Sequence, residues 1–132
     1  MKPKVLIVDD DPLMRVLYKS HLERGGYELL TAKDGLDAIF IASAQNPQLI
    51  VMDLMMPGMD GLSAIREMKR SEAMKHIPIL IVTSNVGTWE TARKESVNAG
   101  ASGFLCKPFA PDQLLKEARR LAPIPPAEKK LD

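Results

Sequence analysis

Three aspartates, Asp9, Asp10 and Asp11, stand side by side behind the apolar run Val5–Val8. Like charges repel, and two carboxylates about 4 Å apart cost roughly 4 kcal/mol at a surface-like dielectric. A fourth acid, Asp53, follows the apolar run Leu49–Met52. Thr83 and Ser84 follow Ile79–Val82, and Lys107 and Pro108 follow Gly103–Cys106. Acids from two runs, a hydroxyl and an ammonium suit one chemistry. Mg²⁺ takes hard oxygen ligands, needs one or two carboxylates, and keeps waters. Asp10 and Asp53 suit direct ligation, with Asp9 holding a metal-bound water. Asp11 has a different task, because Pro12 suits the first position of a helix and an aspartate before it suits the cap. The Asp53 carboxylate can attack phosphorus and form an acyl phosphate. Mg²⁺ and Lys107 would then neutralise charge on the phosphoryl oxygens, and the Thr83 hydroxyl would hydrogen-bond one of them.

That chemistry requires a frame that brings distant residues together. Val5–Val8, Glu28–Leu30, Leu49–Met52, Ile79–Val82 and Gly103–Cys106 are all of strand length, and apolar runs without alternation are typical of parallel strands buried on both faces. Helical patterns lie between them. The first runs from Pro12 to the Gly25-Gly26 stop, with Leu13, Leu17 and His21, and Met14, Tyr18 and Leu22, at i, i+4 spacing. The second begins near Asp34 and ends before Pro47. The third starts near Gly61, with Leu62, Ile65 and Met68 on one face. The fourth, about Thr88 to Asn98, has a thin apolar stripe, and Trp89 is either core or partner-facing. The fifth follows Pro111, with Leu114, Ala118 and Leu121. Strand then helix, five times, implies a parallel α/β sheet with right-handed crossovers and helices on both sides. Ligands of such sheets sit beyond the carboxyl ends of the strands. Asp9, Asp53, Thr83 and Lys107 all fall there, so they are expected to share one pocket.

Composition excludes several classes. With 18 basic and 17 acidic residues the net charge is +1, and no charge block points to nucleic acid or a membrane surface. A single cysteine permits no intrachain disulfide and suits a reducing, cytoplasmic setting. The N-terminus lacks a signal-peptide core, and no apolar run approaches a membrane span. Residues 1–122 read as one domain and 123–132, "PIPPAEKKLD", as a proline-rich tail or linker.

Four blocks in order, "LIVDDDP", "VMDLMMPGMDG", "ILIVTS" and "GASGFLCKPF", resemble a response-regulator receiver domain of two-component signalling, of the chemotaxis-regulator kind. The resemblance covers Lys4 to about Ala122. It implies a flavodoxin-like (βα)5 doubly wound sheet of strand order 2-1-3-4-5. It implies Asp53 as phospho-acceptor, with a sensor histidine kinase or phosphotransfer protein as donor. The Mg²⁺ site, in which Mn²⁺ can substitute, would be Asp9, Asp10, Asp53 and the backbone carbonyl of Met55. Thr83 and Lys107 would contact the phosphoryl group, and the Lys107–Pro108 bond would be cis. Thr83 and Phe104 would be the switch pair, and Phe104 lacks the hydroxyl that many relatives carry there. The fourth helix, fifth strand and fifth helix would form the readout face toward an output partner. Met55 and Asn85 occupy the positions that tune phosphoryl lifetime. Neither is a carboxylate able to orient water, which points to an intermediate or long lifetime.

Simpler readings exist for each residue. Asp9 and Asp10 could be solvated strand-end acids, Asp53 a turn residue before Pro57-Gly58, Thr83 a loop cap and Lys107 a surface lysine. Coincidence of all four at matching strand ends argues against them. Asp60-Gly61 reads as a turn and helix start. His21 and His76 are isolated and read as surface or packing residues, and Cys106 as a buried small hydrophobe. A haloacid-dehalogenase-like phosphatase would need an Asp where Met55 stands, and a cap domain. A flavodoxin would need a phosphate loop where the three acids stand. Two alternatives stay closer to the resemblance. One is a phosphorylation-independent interaction module of the same fold. The other is the N-terminal receiver of a longer DNA-binding regulator or hybrid kinase.

Overall fold

The computed structural model describes residues 2–56, 58–84 and 89–125, with the side chain of Trp89 left aside. The strands are β1 (Lys4–Val8), β2 (Glu28–Ala32), β3 (Leu49–Asp53), β4 (Ile79–Thr83) and β5 (Gly103–Cys106). They alternate with α1 (Pro12–Arg24), α2 (Gly35–Gln45), α3 (Gly61–Arg70), α4 (Trp89–Ala99) and α5 (Pro111–Leu121). The sheet is parallel throughout, in the order β2-β1-β3-β4-β5. This is the doubly wound α/β arrangement expected from the alternation of runs.

Alternate residues of each central strand feed two cores, as the period-2 pleat dictates. Leu6, Val8, Ile50, Met52, Ile79 and Ile81 pack with Ala38, Ala42, Ala64, Ile65 and Met68 of α2 and α3. Val5, Ile7, Leu49, Val51, Leu80 and Val82 pack with Tyr18, Leu22, Leu114 and Ala118 of α1 and α5. Burial on both faces therefore holds for β1, β3 and β4. It fails for β2 and β5, which lie at the sheet edges and are only partly covered. Cys106 is the clearest correction: it ends β5 on the edge and is exposed, not buried.

Helix starts follow the capping chemistry. The Asp11 side chain accepts from the Leu13 N–H at 2.9 Å, with Pro12 at the first turn. Asp34 and Asp60 cap α2 and α3 through Asp37 and Ser63, each at 2.8 Å. The Asp60-Gly61 turn is thus a helix start. Gly61 is required there, because a Cβ would lie 2.8 Å from the Asp53 carbonyl oxygen. At α5 the Gln113 side chain accepts from the Ala110 N–H at 2.7 Å.

The end of the sheet at the strand N-termini is tied by polar contacts. The Lys4 N–H donates to Gln48 Oε1 at 2.7 Å, and the buried Tyr27 hydroxyl donates to the Ala122 carbonyl at 2.7 Å. Beyond α5, Ile124 packs on the second core, and Pro123 and Pro125 line a cleft with Pro3, Gln45 and Gln48. No helix among the described residues is long and apolar enough to cross a membrane.

Candidate acidic pocket

Register builds the pocket. Val8 pairs with Met52, so Asp9 and Asp53 emerge side by side from adjacent strands. Thr83 pairs with Cys106, and the Lys107 N–H donates to the Thr83 carbonyl at 2.8 Å, extending the ladder one residue past β5. The Lys107–Pro108 peptide bond is cis. Lys107 Nζ reaches back across β4 to donate to Asp53 Oδ2 at 2.9 Å, and lies 3.4 Å from Asp9 Oδ2.

Asp9 is not a solvated strand-end acid, and Asp53 is buried with it. Asp9 is 2% exposed and Asp53 7%, while the Thr83 side chain is fully buried. Asp10 and Asp11 are exposed. Asp9 Oδ1 accepts the Asp11 N–H and Asp53 Oδ1 the Met55 N–H, both at 2.9 Å. Burial raises the Asp9 pKa above the usual value, and the neighbouring Asp53 charge adds to the rise. The Asp11 N–H and Lys107 oppose it. Burial alone would lower the Lys107 pKa. The hydrogen bond and charge of Asp53 outweigh it, with Tyr18 and Asp9 adding, so the ammonium stays protonated.

Two buried carboxylates thus share one ammonium, an excess of negative charge in a confined space. That donor set fits a divalent cation. Among the described residues no three His, Cys, Asp or Glu side chains form a ready metal nest. Mg²⁺ does not demand one, since carbonyl oxygens and waters complete its shell.

Of the residues singled out from sequence, Asp9, Asp53 and Lys107 are in direct contact. Thr83 lies one ladder step away, and Asp10 stands at the rim. Met55 has a 69% exposed side chain and meets Asp53 through its backbone. Phe104 is half-buried against the first core. Asn85 and Thr88 lie outside the described residues. His21 is half-buried on α1 and His76 is exposed in a loop. Two participants were missed. Arg15 Nη1 donates to the Asp9 carbonyl at 2.6 Å, pinning the acidic loop. Tyr18 stacks on Phe109 at 5.9 Å between centroids, and Lys107 Nζ lies 5.9 Å from the Tyr18 ring centre. The i, i+4 pattern marked Tyr18 as core, which it is. Nothing local marked its hydroxyl as a neighbour of Lys107.

The fold is thus a doubly wound parallel α/β domain that gathers two buried aspartates and a lysine at the carboxyl ends of its strands. Residues 5–119 match the response regulator receiver domain, and the chain belongs to that family. It is 34% identical over 119 residues to the DNA-binding dual master transcriptional regulator RpaA of Synechocystis, covering 90% of this chain and 48% of that protein. It is 36% identical over 121 residues to the response regulator PleD of Caulobacter vibrioides, covering 92% of this chain and 26% of that protein. The chain therefore spans about half or less of these curated relatives. Among solved structures it resembles the chemotaxis response regulator CheY4 of Vibrio cholerae, with TM-score 0.83, 34% identity, and 92% and 99% of the two chains covered. It also resembles the receiver domain of the sensor histidine kinase PA1611 of Pseudomonas aeruginosa, a structure with a magnesium ion coordinated in its active-site cleft. There the TM-score is 0.83, identity 30%, and coverage 92% and 98%.

Proposed function

We propose that this receiver takes a phosphoryl group on Asp53 from a sensor histidine kinase or phosphotransfer protein, with Mg²⁺ bound. The buried Asp53 carboxylate held at 2.9 Å by the Lys107 ammonium carries this reading. An Asp53 oxygen forms the new P–O bond as the donor's P–N bond breaks, and the leaving imidazole keeps or gains its proton. Asp9, Asp10, Asp53 and the Met55 carbonyl would hold the metal, with Mn²⁺ able to replace it. The metal supplies positive charge for the phosphoryl oxygens. Lys107 and the Thr83 hydroxyl would bind those oxygens and orient them.

The readout would run through Thr83 and Phe104 to the face made by α4, β5 and α5, where an output protein docks. Phe104 rests half-buried against the core and borders a groove with Arg93, Cys106 and Gln113. Residues 1–122 act as the receiver and 123–132 as tail or linker. The partial coverage of RpaA and PleD supports a second reading, a receiver within a longer regulator. The kinase and output partner would be protein in either case, with no nucleic-acid contact by this domain.

Intact mass after incubation with a small acyl-phosphate donor tests the proposal. One Mg²⁺-dependent adduct, absent from Asp53→Asn, is expected. A folded wild-type protein that gains no phosphoryl group from this donor or from a phosphohistidine protein would overturn it in favour of a phosphorylation-independent interaction module.

A further inference from the structure

A groove of about 450 Å³ lies between α1 and the turn after β5, lined by Leu17, Tyr18, His21, Lys107 and Phe109 among others. Tyr18 in its wall is only 4% exposed, and among the described residues its hydroxyl has no partner in good hydrogen-bond geometry. Buried polar atoms are nearly always paired, because an unpaired one forfeits its hydration without return. An orphaned hydroxyl beside a charged lysine calls for a state of the pocket in which it is paired.

Lys107 is the group within reach, with Nζ 5.9 Å from the Tyr18 ring centre. An ammonium has three N–H donors. One meets Asp53 at 2.9 Å, and the contact to Asp9 is long at 3.4 Å. Asp9 is the partner Lys107 can lose most easily.

We propose that Tyr18 is a positioning residue for Lys107: its hydroxyl takes over the N–H now aimed at Asp9 when Asp9 turns to a divalent cation, and so keeps Nζ on Asp53. This rests on the reading of Asp9 and Asp53 as metal-holding carboxylates. Stacking on Phe109, at 19° between ring planes, holds the phenol in place before the exchange. Lys107 already acts on the hydroxyl: burial raises the phenol pKa, and the lysine draws it down through its charge and through a hydrogen-bonding approach still short of good geometry. A phenol oxygen accepts a hydrogen bond without adding a third negative charge to the pocket.

The test uses the full chain with ¹³Cζ-labelled tyrosine, the Tyr18 signal being assigned by its loss in Tyr18→Phe. Asp9→Ala removes the competing carboxylate, so the Tyr18 signal is expected to move without any metal, and the same change made in a Lys107→Met background is expected not to move it from its Lys107→Met position. No movement, or movement that persists in the double variant, overturns the exchange, whether or not the protein is phosphorylated. In the kinetic arm, Tyr18→Phe keeps the ring and its stack. It is expected to lower the saturating rate of Asp53 labelling roughly tenfold, the worth of a charged hydrogen bond. Donor half-saturation and Mg²⁺ affinity should stay unchanged, and Tyr18→Phe should add no further loss to Lys107→Met. An unchanged saturating rate, or a loss of Mg²⁺ affinity, overturns the positioning role. A wild-type protein that takes no phosphoryl group would instead sink the functional reading and leave the ¹³C result to decide Tyr18.

Discussion

The two ends of the sheet are built on opposite principles. At the strand N-termini polar groups meet partners that suit them: the Lys4 N–H meets the Gln48 amide, and the Tyr27 hydroxyl meets the Ala122 carbonyl. At the carboxyl ends, Asp9 and Asp53 lie buried beside each other with one ammonium between them, and the Tyr18 hydroxyl has no well-placed partner among the described residues. One end spends its polar groups on holding the chain. The other keeps like charges together at a cost in stability, which is the mark of a site that waits for a ligand.

The sharpest way to break the contrast is Asp53→Asn. The phosphoryl adduct should vanish entirely while the fold persists, read by mass and by circular dichroism. Labelling at the wild-type rate would place the acceptor elsewhere. Lys107→Ala should come next. Mg²⁺ binding persists in calorimetry, but phosphorylation no longer changes hydrogen exchange around Phe104; an unchanged exchange response would refute its coupling role. At the opposite end, Tyr27→Phe leaves the Ala122 carbonyl unpaired and should cost about 1–3 kcal/mol in urea unfolding. Its labelling rate should match wild type, and a slowed rate would mean that the two ends are not independent. Smallest is Asp9→Asn, expected to gain roughly 1 kcal/mol in EDTA at the expense of Mg²⁺ affinity. The sign follows from the raised Asp9 pKa. The folded state binds this proton more tightly than the unfolded state, so wild-type stability falls as pH rises through the carboxylate range. The advantage of Asp9→Asn should therefore grow over that window and then level off; a constant advantage at every pH would contradict it.

Much of this was legible in the sequence because buried parallel strands write themselves as plain apolar runs. β1, β3 and β4 stand within a residue of their expected bounds, and the residue after each run is a pocket residue or its neighbour. Edges were harder to read. β2 extends through Thr31 and Ala32 because its pairing with β1 continues past the apolar run. Cys106 looked buried because its run resembled the central ones, whereas an edge strand covers its last residue on one side at most. On α2, Leu36 and Phe40 are exposed although large and apolar, since small Ala38 and Ala42 make the close contact with the sheet. Arg15 and Tyr18 act over distances that local spacing does not encode. The first reaches back six residues, and the second meets a lysine 89 positions away only after β5 is laid beside β4.

The tie between Tyr27 and Ala122 also sets where the chain departs. Pro123 and Pro125 run past Pro3 and Gln48, at the foot of β1 and β3. A five-residue strand is about 17 Å long, so that exit lies a full strand length from the acidic pocket. Anything tethered beyond Pro125 would be moored on the far shore from the chemistry. It would stand clear of the pocket mouth, and any change of state there would have to reach it across the body of the domain.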